Sequence, residues 1–265
     1  PDYELEDYGR WLELAKEAAP QLHLHAYSPM EVANMVDRSG RSPREVFEYL
    51  RGCGLGSTPG TAAEVLEDGV RERISPNKLP AARWVEIVEA GHAAGVPTTS
   101  TVMFGHIEEP WELARHMLVI RELQERSLAG APAVITEFVP LSFIPYQPLL
   151  GRTHGISEIS REENLKHTAV FRLALGRSIP NLQASWVKMG LGAATEALSW
   201  GVNDLGGTLM EESISRAAGS QHGSRLDPED LVSAGHAAGR PVFERDTLYR
   251  SRLAEYPVCD AVSSV

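Results

Sequence analysis

Short apolar or β-branched runs alternate with helical periodicities along most of this chain. Strands separated by helices rather than by tight turns return in the same direction, so the alternation implies a parallel sheet, open or closed. Leu5, Tyr8, Leu12 and Ala15 recur at helical spacing over residues 2–19, and Pro20 stops the pattern. Residues 21–27 read as a strand. Ser28-Pro-Met-Glu31 and Ser42-Pro-Arg-Glu45 each start a helix, with Ser as N-cap, Pro at the first helical position and Glu three residues after Ser. Residues 55–59 form a short strand running into a Gly-rich turn. Residues 80–94 form a helix with Trp84, Ile87, Val88 and Gly91 on one face, closed by Gly95. The β-branched strand 97–104 ends at Gly105. A helix follows at 110–125, then a strand at 133–139, a Pro-rich loop at 140–155 and a helix at 160–175. Further on come a strand at 181–187, a helix at 191–199, a short strand or loop at 202–209 and a helix at 210–218.

These strands fall short of the roughly eight of a closed α/β barrel. The chain also opens on a helix, without Met. The expected architecture is a parallel (βα) TIM-type barrel over residues 1–226, incomplete at its N-terminus, with roughly one or two βα units ahead of Pro1. Residues 227–265 are expected to form a short C-terminal helical extension of the same domain.

A chain of 265 residues, 43% of them hydrophobic, is long enough for one such core. The net charge of -11 is spread among mixed signs with no Lys/Arg run, which argues against nucleic acid or an anionic membrane as partner. No apolar run approaches the ~20 residues of a membrane span, and no signal segment opens the chain. Cys53 and Cys259 are far apart, and neither has a Cys or His at metal-ligand spacing. Both read as free thiols in a reducing, cytoplasmic setting.

In a parallel α/β barrel, chemistry sits where strands run into their following loops. His23 and His25 alternate on one strand and point to one side, as a divalent-metal pair or as hydrogen-bonded interior histidines. With His106 and Asp204 as further ligands they would make a metal-dependent barrel hydrolase. Gly54-Leu-Gly-Ser-Thr-Pro-Gly60 lets backbone approach a ligand closely, yet is neither a dinucleotide fingerprint nor a phosphate-binding Walker loop. Thr61-Ala-Ala-Glu64 then opens a helix, with Glu64 in its first turn, placed to accept hydrogen bonds from sugar hydroxyls or an amino group, or to serve as a plain N-terminal helix charge. Thr98-Thr-Ser-Thr101 puts hydroxyls on both faces of its strand, and Glu137 sits inside an apolar strand. Gln183, Ser185 and Lys188 lie on or just after another strand. Asn203-Asp-Leu-Gly-Gly-Thr208 suits a small polar group, or a turn held by Asx hydrogen bonds. No G-x-S-x-G elbow, H-E-x-x-H pair or paired-cysteine zinc pattern occurs.

Six strings, in order, are distinctive together: His25-Ala-Tyr-Ser-Pro-Met-Glu31, Thr58-Pro-Gly-Thr-Ala-Ala-Glu64, Ser100-Thr-Val-Met-Phe-Gly-His106, Thr136-Glu-Phe-Val-Pro-Leu141, Gln183-Ala-Ser-Trp-Val-Lys188 and Asn203-Asp-Leu-Gly-Gly-Thr-Leu-Met-Glu-Glu212. The chain resembles, over about residues 5–250, the tyrosine-side subunit or domain of FO (7,8-didemethyl-8-hydroxy-5-deazariboflavin) synthase. Radical enzymes of the futalosine menaquinone pathway share weaker versions of these strings and stand as the alternative within the superfamily.

The resemblance implies a radical S-adenosylmethionine barrel. In that family a 4Fe–4S cluster cleaves S-adenosylmethionine reductively to a 5′-deoxyadenosyl radical. The radical activates L-tyrosine, whose side chain is joined to 5-amino-6-(D-ribitylamino)uracil. A companion half of the synthase, fused or separate, then closes the deazaflavin ring. By the same resemblance Ser57, Thr58, Gly60, Glu64 and Thr101 would contact the cofactor. His25, His106, Glu137, Gln183, Ser185, Asn203 and Asp204 would contact substrate, with Ser100 lining the lumen beside Thr101. The family's C-x₃-C-x₂-C cluster loop is absent, and by analogy would lie before Pro1. The bare chain is therefore expected to be inactive on its own, and a barrel surviving as a cluster-less binding scaffold is a further alternative.

Overall fold

Local capping chemistry sets where the helices of the computed structural model begin. The structure describes residues 3–209, 213–220, 222 and 225–257. Helix α1 (Leu5–Ala18) precedes the short strand β1 (Leu24–His25). Helix α2 (Pro29–Ser39) starts on the expected capping box: Ser28 Oγ accepts the Glu31 amide at 3.4 Å, and the Glu31 carboxylate accepts the Ser28 amide at 2.8 Å. Helix α3 (Pro43–Gly52) repeats the arrangement with Ser42 and Glu45. Then follow β2 (Leu55–Ser57), α4 (Asp68–Ile74), α5 (Ala81–Ala93), β3 (Thr98–Phe104), α6 (Pro110–Leu128) and β4 (Ile135–Ser142).

The chain divides into two compact units. The first takes the described residues up to 104 together with 108–138 and 175–180. In it β1 pairs with β2 in parallel, with Leu24 opposite Leu55 and His25 opposite Ser57. A parallel bridge between Thr58 and Thr98 carries the order on to β3, and β3 lies beside β4. Neighbours in space thus follow the chain order, with helices as crossovers. The face of α5 read from sequence is buried: Trp84, Ile87 and Val88 are at most 1% exposed. Gly91 on that face brings the helix against Phe47, whose ring would lie 3.1 Å from an added Cβ.

The second unit takes residues 105–107, 139–174 and the described residues from 181 onward. It holds α7 (Leu149–His154), α8 (Arg161–Leu175, its last residue in the first unit), α9 (Trp186–Met189), α10 (Leu191–Ala197), α11 (Ile214–Ala217) and α12 (Pro228–Ala237). The strands β5 (Val242–Arg245) and β6 (Arg252–Tyr256) close it as an antiparallel hairpin.

The fold is therefore mixed α/β with small parallel sheets, and no sheet closes among the described residues. Several expectations are corrected. The C-terminal extension is not helical throughout, because the hairpin follows α12. Its turn is held by Asp246, whose carboxylate accepts the Leu248 and Arg250 amides at 3.0 and 2.8 Å. The helix expected to open at Thr61–Glu64 starts instead at Asp68, as α4 capped by Glu67 on the Val70 amide at 2.9 Å, so Glu64 lies in the loop before it. The strand expected at 21–27 contracts to Leu24 and His25. Strand β4 runs on through Pro140 to Ser142, and α7 forms within the expected loop. The strand expected at 181–187 reduces to bridge positions at Leu182 and Gln183, the latter paired with Asp204, before α9 begins. Of the helix expected at 210–218, residues 210–212 lie outside the described residues, as does Cys259. No helix among the described residues is long and apolar enough to cross a membrane.

Candidate functional site

The polar end of the first unit is the loop that leaves β2. Thr58 is held by β3: its amide donates to Pro97 O at 3.0 Å, and its carbonyl accepts from Thr99 N at 3.2 Å. Gly60 is bonded to the side chains of two strand residues. Its amide donates to Thr99 Oγ1 at 3.1 Å, and its carbonyl accepts from Thr101 Oγ1 at 3.2 Å. A Cβ at Gly60 would fall 1.9 Å from the Thr99 carbonyl oxygen, so only glycine fits there. Thr101 thus faces the loop. Alternation along β3 puts Ser100 on the opposite face, shared with Thr98, whose hydroxyl meets His92 of α5 at 3.0 Å. Ser100 and Thr101 therefore do not line one lumen together.

The rest of the loop is strained and clamped. Ala62 and Glu64 adopt φ of 57° and 44°, a left-handed conformation that costs a non-glycine residue roughly 1 kcal/mol or more. Arg71 of α4, 3% exposed, holds the loop from below. Its guanidinium donates to the carbonyls of Ala62 at 3.1 Å, Val65 at 3.4 Å and Leu79 at 2.6 Å, and also to Ala63. No carboxylate among the described residues bonds to it, and burial pulls its pKa below the ordinary value against the opposing charges of Glu64 and Asp68. The Glu64 carboxylate, with its side chain 16% exposed, pairs with Lys78. The Glu64 carbonyl accepts from Met103 N at 2.9 Å. The Leu66 amide donates to His116 Nδ1 at 3.0 Å. His116 is fully buried and stays neutral, with burial and then the Arg71 charge pushing its pKa down to about 3.

The paired histidines of β1 meet on one hydroxyl. His23 Nε2 lies 2.7 Å and His25 Nδ1 2.6 Å from Ser57 Oγ. Ser57 bridges the two imidazoles where a shared metal would sit. His25 is pushed down to about 4 by burial and by the His23 ring beside it. Among the described residues no three His, Cys, Asp or Glu side chains gather to hold a metal, so the hydrolase reading finds no centre. Glu137 on β4 is 8% exposed. Phe138, its neighbour, packs against His116 of α6, so alternation turns Glu137 to the face away from that helix.

In the second unit the expected substrate contacts are largely engaged with the protein itself. Asp204 accepts from Arg245 of β5 at 2.7 and 3.1 Å, and from the Gly206 amide at 2.6 Å. Asn203 Oδ1 accepts from the Leu182 amide at 2.9 Å and from Arg172 at 3.0 Å. Gln183 packs against Gly206, where its amide would meet an added Cβ at 2.7 Å. Ser185 precedes α9 without capping it through its side chain. His106 accepts its neighbour's amide, Ile107 N, at 2.7 Å and lies edge-on to Phe143. Arg71, Lys78, His116 and Arg245 were not singled out from sequence, because a buried arginine that binds main-chain carbonyls leaves no spacing signature.

Two groups implied by the resemblance can be tested against these residues. A 4Fe–4S cluster is held by thiolates. The chain has two cysteines, and Cys53 is buried, with its thiol pushed up by that burial. The chain's own cysteines therefore do not fit a cluster. S-adenosylmethionine, with its hydroxyls and amino acid end, fits the loop after β2 better. Thr58 Oγ1 is buried without a partner among the described residues, and the Glu64 carboxylate follows six residues on in the same loop.

Residues 133–255 match the family model described as CofH/MqnC C-terminal region. The chain is 49% identical over 244 residues to the 5-amino-6-(D-ribitylamino)uracil–L-tyrosine 4-hydroxyphenyl transferase of Synechococcus elongatus, covering 91% of this chain and 63% of that protein. It is 46% identical over 253 residues to a transferase of the same name from Methanosarcina mazei, covering 94% and 66%. With the Archaeoglobus fulgidus transferase it shares 43% identity over 249 residues, covering 94% of this chain and 71% of that protein. The chain thus spans about two thirds of the length of these relatives, and it belongs to the 5-amino-6-(D-ribitylamino)uracil–L-tyrosine 4-hydroxyphenyl transferase family.

Proposed function

We propose that this chain forms the body of a radical S-adenosylmethionine transferase that joins the 4-hydroxybenzyl group of L-tyrosine to 5-amino-6-(D-ribitylamino)uracil, in the making of a deazaflavin. The observation that carries this reading is identity of 43–49% with transferases so named, over about nine tenths of the chain. In this reading residues 1–226 contribute to a TIM-type barrel with 227–265 as its extension. The protein works in the cytoplasm beside a companion half that completes the deazaflavin ring.

Within that reading the chain's own residues bind and orient. Ser57, Thr58, Gly60, Glu64 and Thr101 hold S-adenosylmethionine at the end of β2 and β3, with Glu64 taking an amino group or ribose hydroxyls. When bound, S-adenosylmethionine supplies the hydrogen-abstracting chemistry. Cluster thiolates come from outside the residues of this chain. Glu137, on the face away from α6, receives a polar group of a substrate. His25, kept neutral, accepts a hydrogen bond from a hydroxyl such as the tyrosine phenol. His106, Gln183 and Ser185 complete the substrate contacts, while Asn203 and Asp204 act through the loop they hold.

The test is anaerobic reconstitution of the complete protein containing this chain with iron, sulfide and S-adenosylmethionine. Tyrosine and the ribitylaminouracil are then supplied. A coupled product with the mass of the two joined fragments is expected, dependent on both substrates. Cleavage of S-adenosylmethionine with no coupling would sink the transferase reading.

A further inference from the structure

Ser57 Oγ stands between two imidazoles, 2.7 Å from His23 Nε2 and 2.6 Å from His25 Nδ1. Both bonds are short, and Ser57 is 3% exposed. A hydroxyl carries one proton, so it donates to only one ring at a time. When it donates to one ring, the other ring must donate to it, and the protonation of each imidazole is tied to that of the other. The two ends of this chain of bonds differ in place. His25 is the last residue of β1, the end at which parallel sheets bind ligands, and it is exposed. His23, two residues back along the chain, is half-buried. Gly56 of β2 makes room for its ring, since an added Cβ there would fall 2.5 Å from the imidazole. A side chain at Gly56 would push the ring off Ser57.

We propose that His25, Ser57 and His23 form a proton relay that takes the phenolic proton of a bound tyrosine. The relay rests on the transferase reading given above, which supplies the phenol. The phenol O–H bond breaks and its proton goes to His25 Nε2. The Nδ1 proton of His25 passes to Ser57 Oγ, and the hydroxyl's own proton passes to His23 Nε2. A phenolate is left at one end and the His23 imidazolium at the other. His25 is neutral before and after, which suits a ring that burial and the His23 ring push down to about 4. The phenolate oxygen feeds electron density into the aromatic ring while the side-chain bond breaks. Return of the proton runs the same path backwards, so no co-reactant is consumed.

The test is kinetic, on the complete reconstituted protein carrying His23→Ala, because His23 acts through Ser57 and His25 and touches no substrate itself. Turnover should fall about a hundredfold, with KM for tyrosine unchanged. Added imidazoles should restore turnover in the order of their basicity. Turnover at the wild-type level, a rise in KM alone, no rescue, or rescue that ignores basicity would each overturn the relay. A second measurement does not depend on that variant folding. In ¹⁵N-histidine NMR of the wild-type protein before reconstitution, one of His23 Nε2 and His25 Nδ1 should carry a proton and the other none. Protons on both would mean that the hydroxyl accepts twice and passes nothing, which would also overturn the relay. Failure of the wild-type protein to couple tyrosine to the ribitylaminouracil counts against the transferase reading instead, and the NMR result then judges the histidine–serine–histidine chain by itself.

Discussion

His92 and His116 show how much a single buried ring decides. His92 of α5 lies between Ser127 Oγ at 2.7 Å and Thr98 Oγ1 at 3.0 Å, and burial pushes it down to about 4. His116 is pushed down to about 3. Both rings are neutral in the folded chain, while in the unfolded chain they titrate near 6.5. Below pH 6.5 the unfolded state therefore binds more protons, and stability falls as pH falls, down to about 4 for His92 and about 3 for His116. At pH 5 each histidine should cost about 2 kcal/mol relative to pH 7. Urea midpoints measured at the two pH values should show the drop, and equal midpoints would mean that the rings are accessible. Glu64 makes a different kind of residue prediction. Glu64→Ala removes the carboxylate offered to an amino group and leaves Lys78 unpaired. Affinity for S-adenosylmethionine should fall about tenfold. Calorimetry showing unchanged affinity would take Glu64 out of the site.

At the scale of elements, what the sequence made legible was local chemistry. Ser28 and Ser42 announce α2 and α3 because cap, proline and glutamate act within four residues of one another, and both boxes form. Ser28→Ala should cost about 1 kcal/mol. A thermal melt would read that loss, and no change would mean that the proline alone sets the start of the helix. The β-branched run 97–104 became β3 (Thr98–Phe104) for a similar reason, since its own side chains favour the extended form. The hairpin of β5 and β6 was not legible. Charged residues interrupt both of its strands, and its contacts are remote: Arg252 lies over the Phe243 ring at 3.9 Å, and Arg245 reaches Asp204. The site divides along the same line. Glycines and polar residues marked the loop after β2, whereas its clamp by Arg71 is a relation in space that no spacing encodes. Asn203 and Asp204 read as ligand contacts because a polar Gly-rich segment looks the same whether it faces a ligand or ties its own chain.

At the scale of the whole molecule, the C-terminal hairpin acts on the loop it grips. Within the second unit Arg245 is the link between β5 and the 203–208 loop. It forms a two-pronged pair with Asp204, whose side chain is 7% exposed, while its guanidinium stacks 4.0 Å from the Tyr249 ring. Asp204 also fixes the Gly206 amide, and its backbone bridges to Gln183. Removing Arg245 would leave a buried carboxylate with one amide for partner, a loss of about 3 kcal/mol. Arg245→Met keeps the stem and removes the charge, so any effect beyond packing is electrostatic. Hydrogen exchange should then quicken in two separated stretches of the second unit, residues 202–206 and 242–256, while the amides of β3 in the first unit keep their protection. Adding Asp204→Asn to that variant should restore most of the protection, because the uncompensated charge is gone. Faster exchange confined to the hairpin would mean that the loop holds its shape without Arg245, and the loop would then be free to respond to a ligand independently of the C-terminal strands.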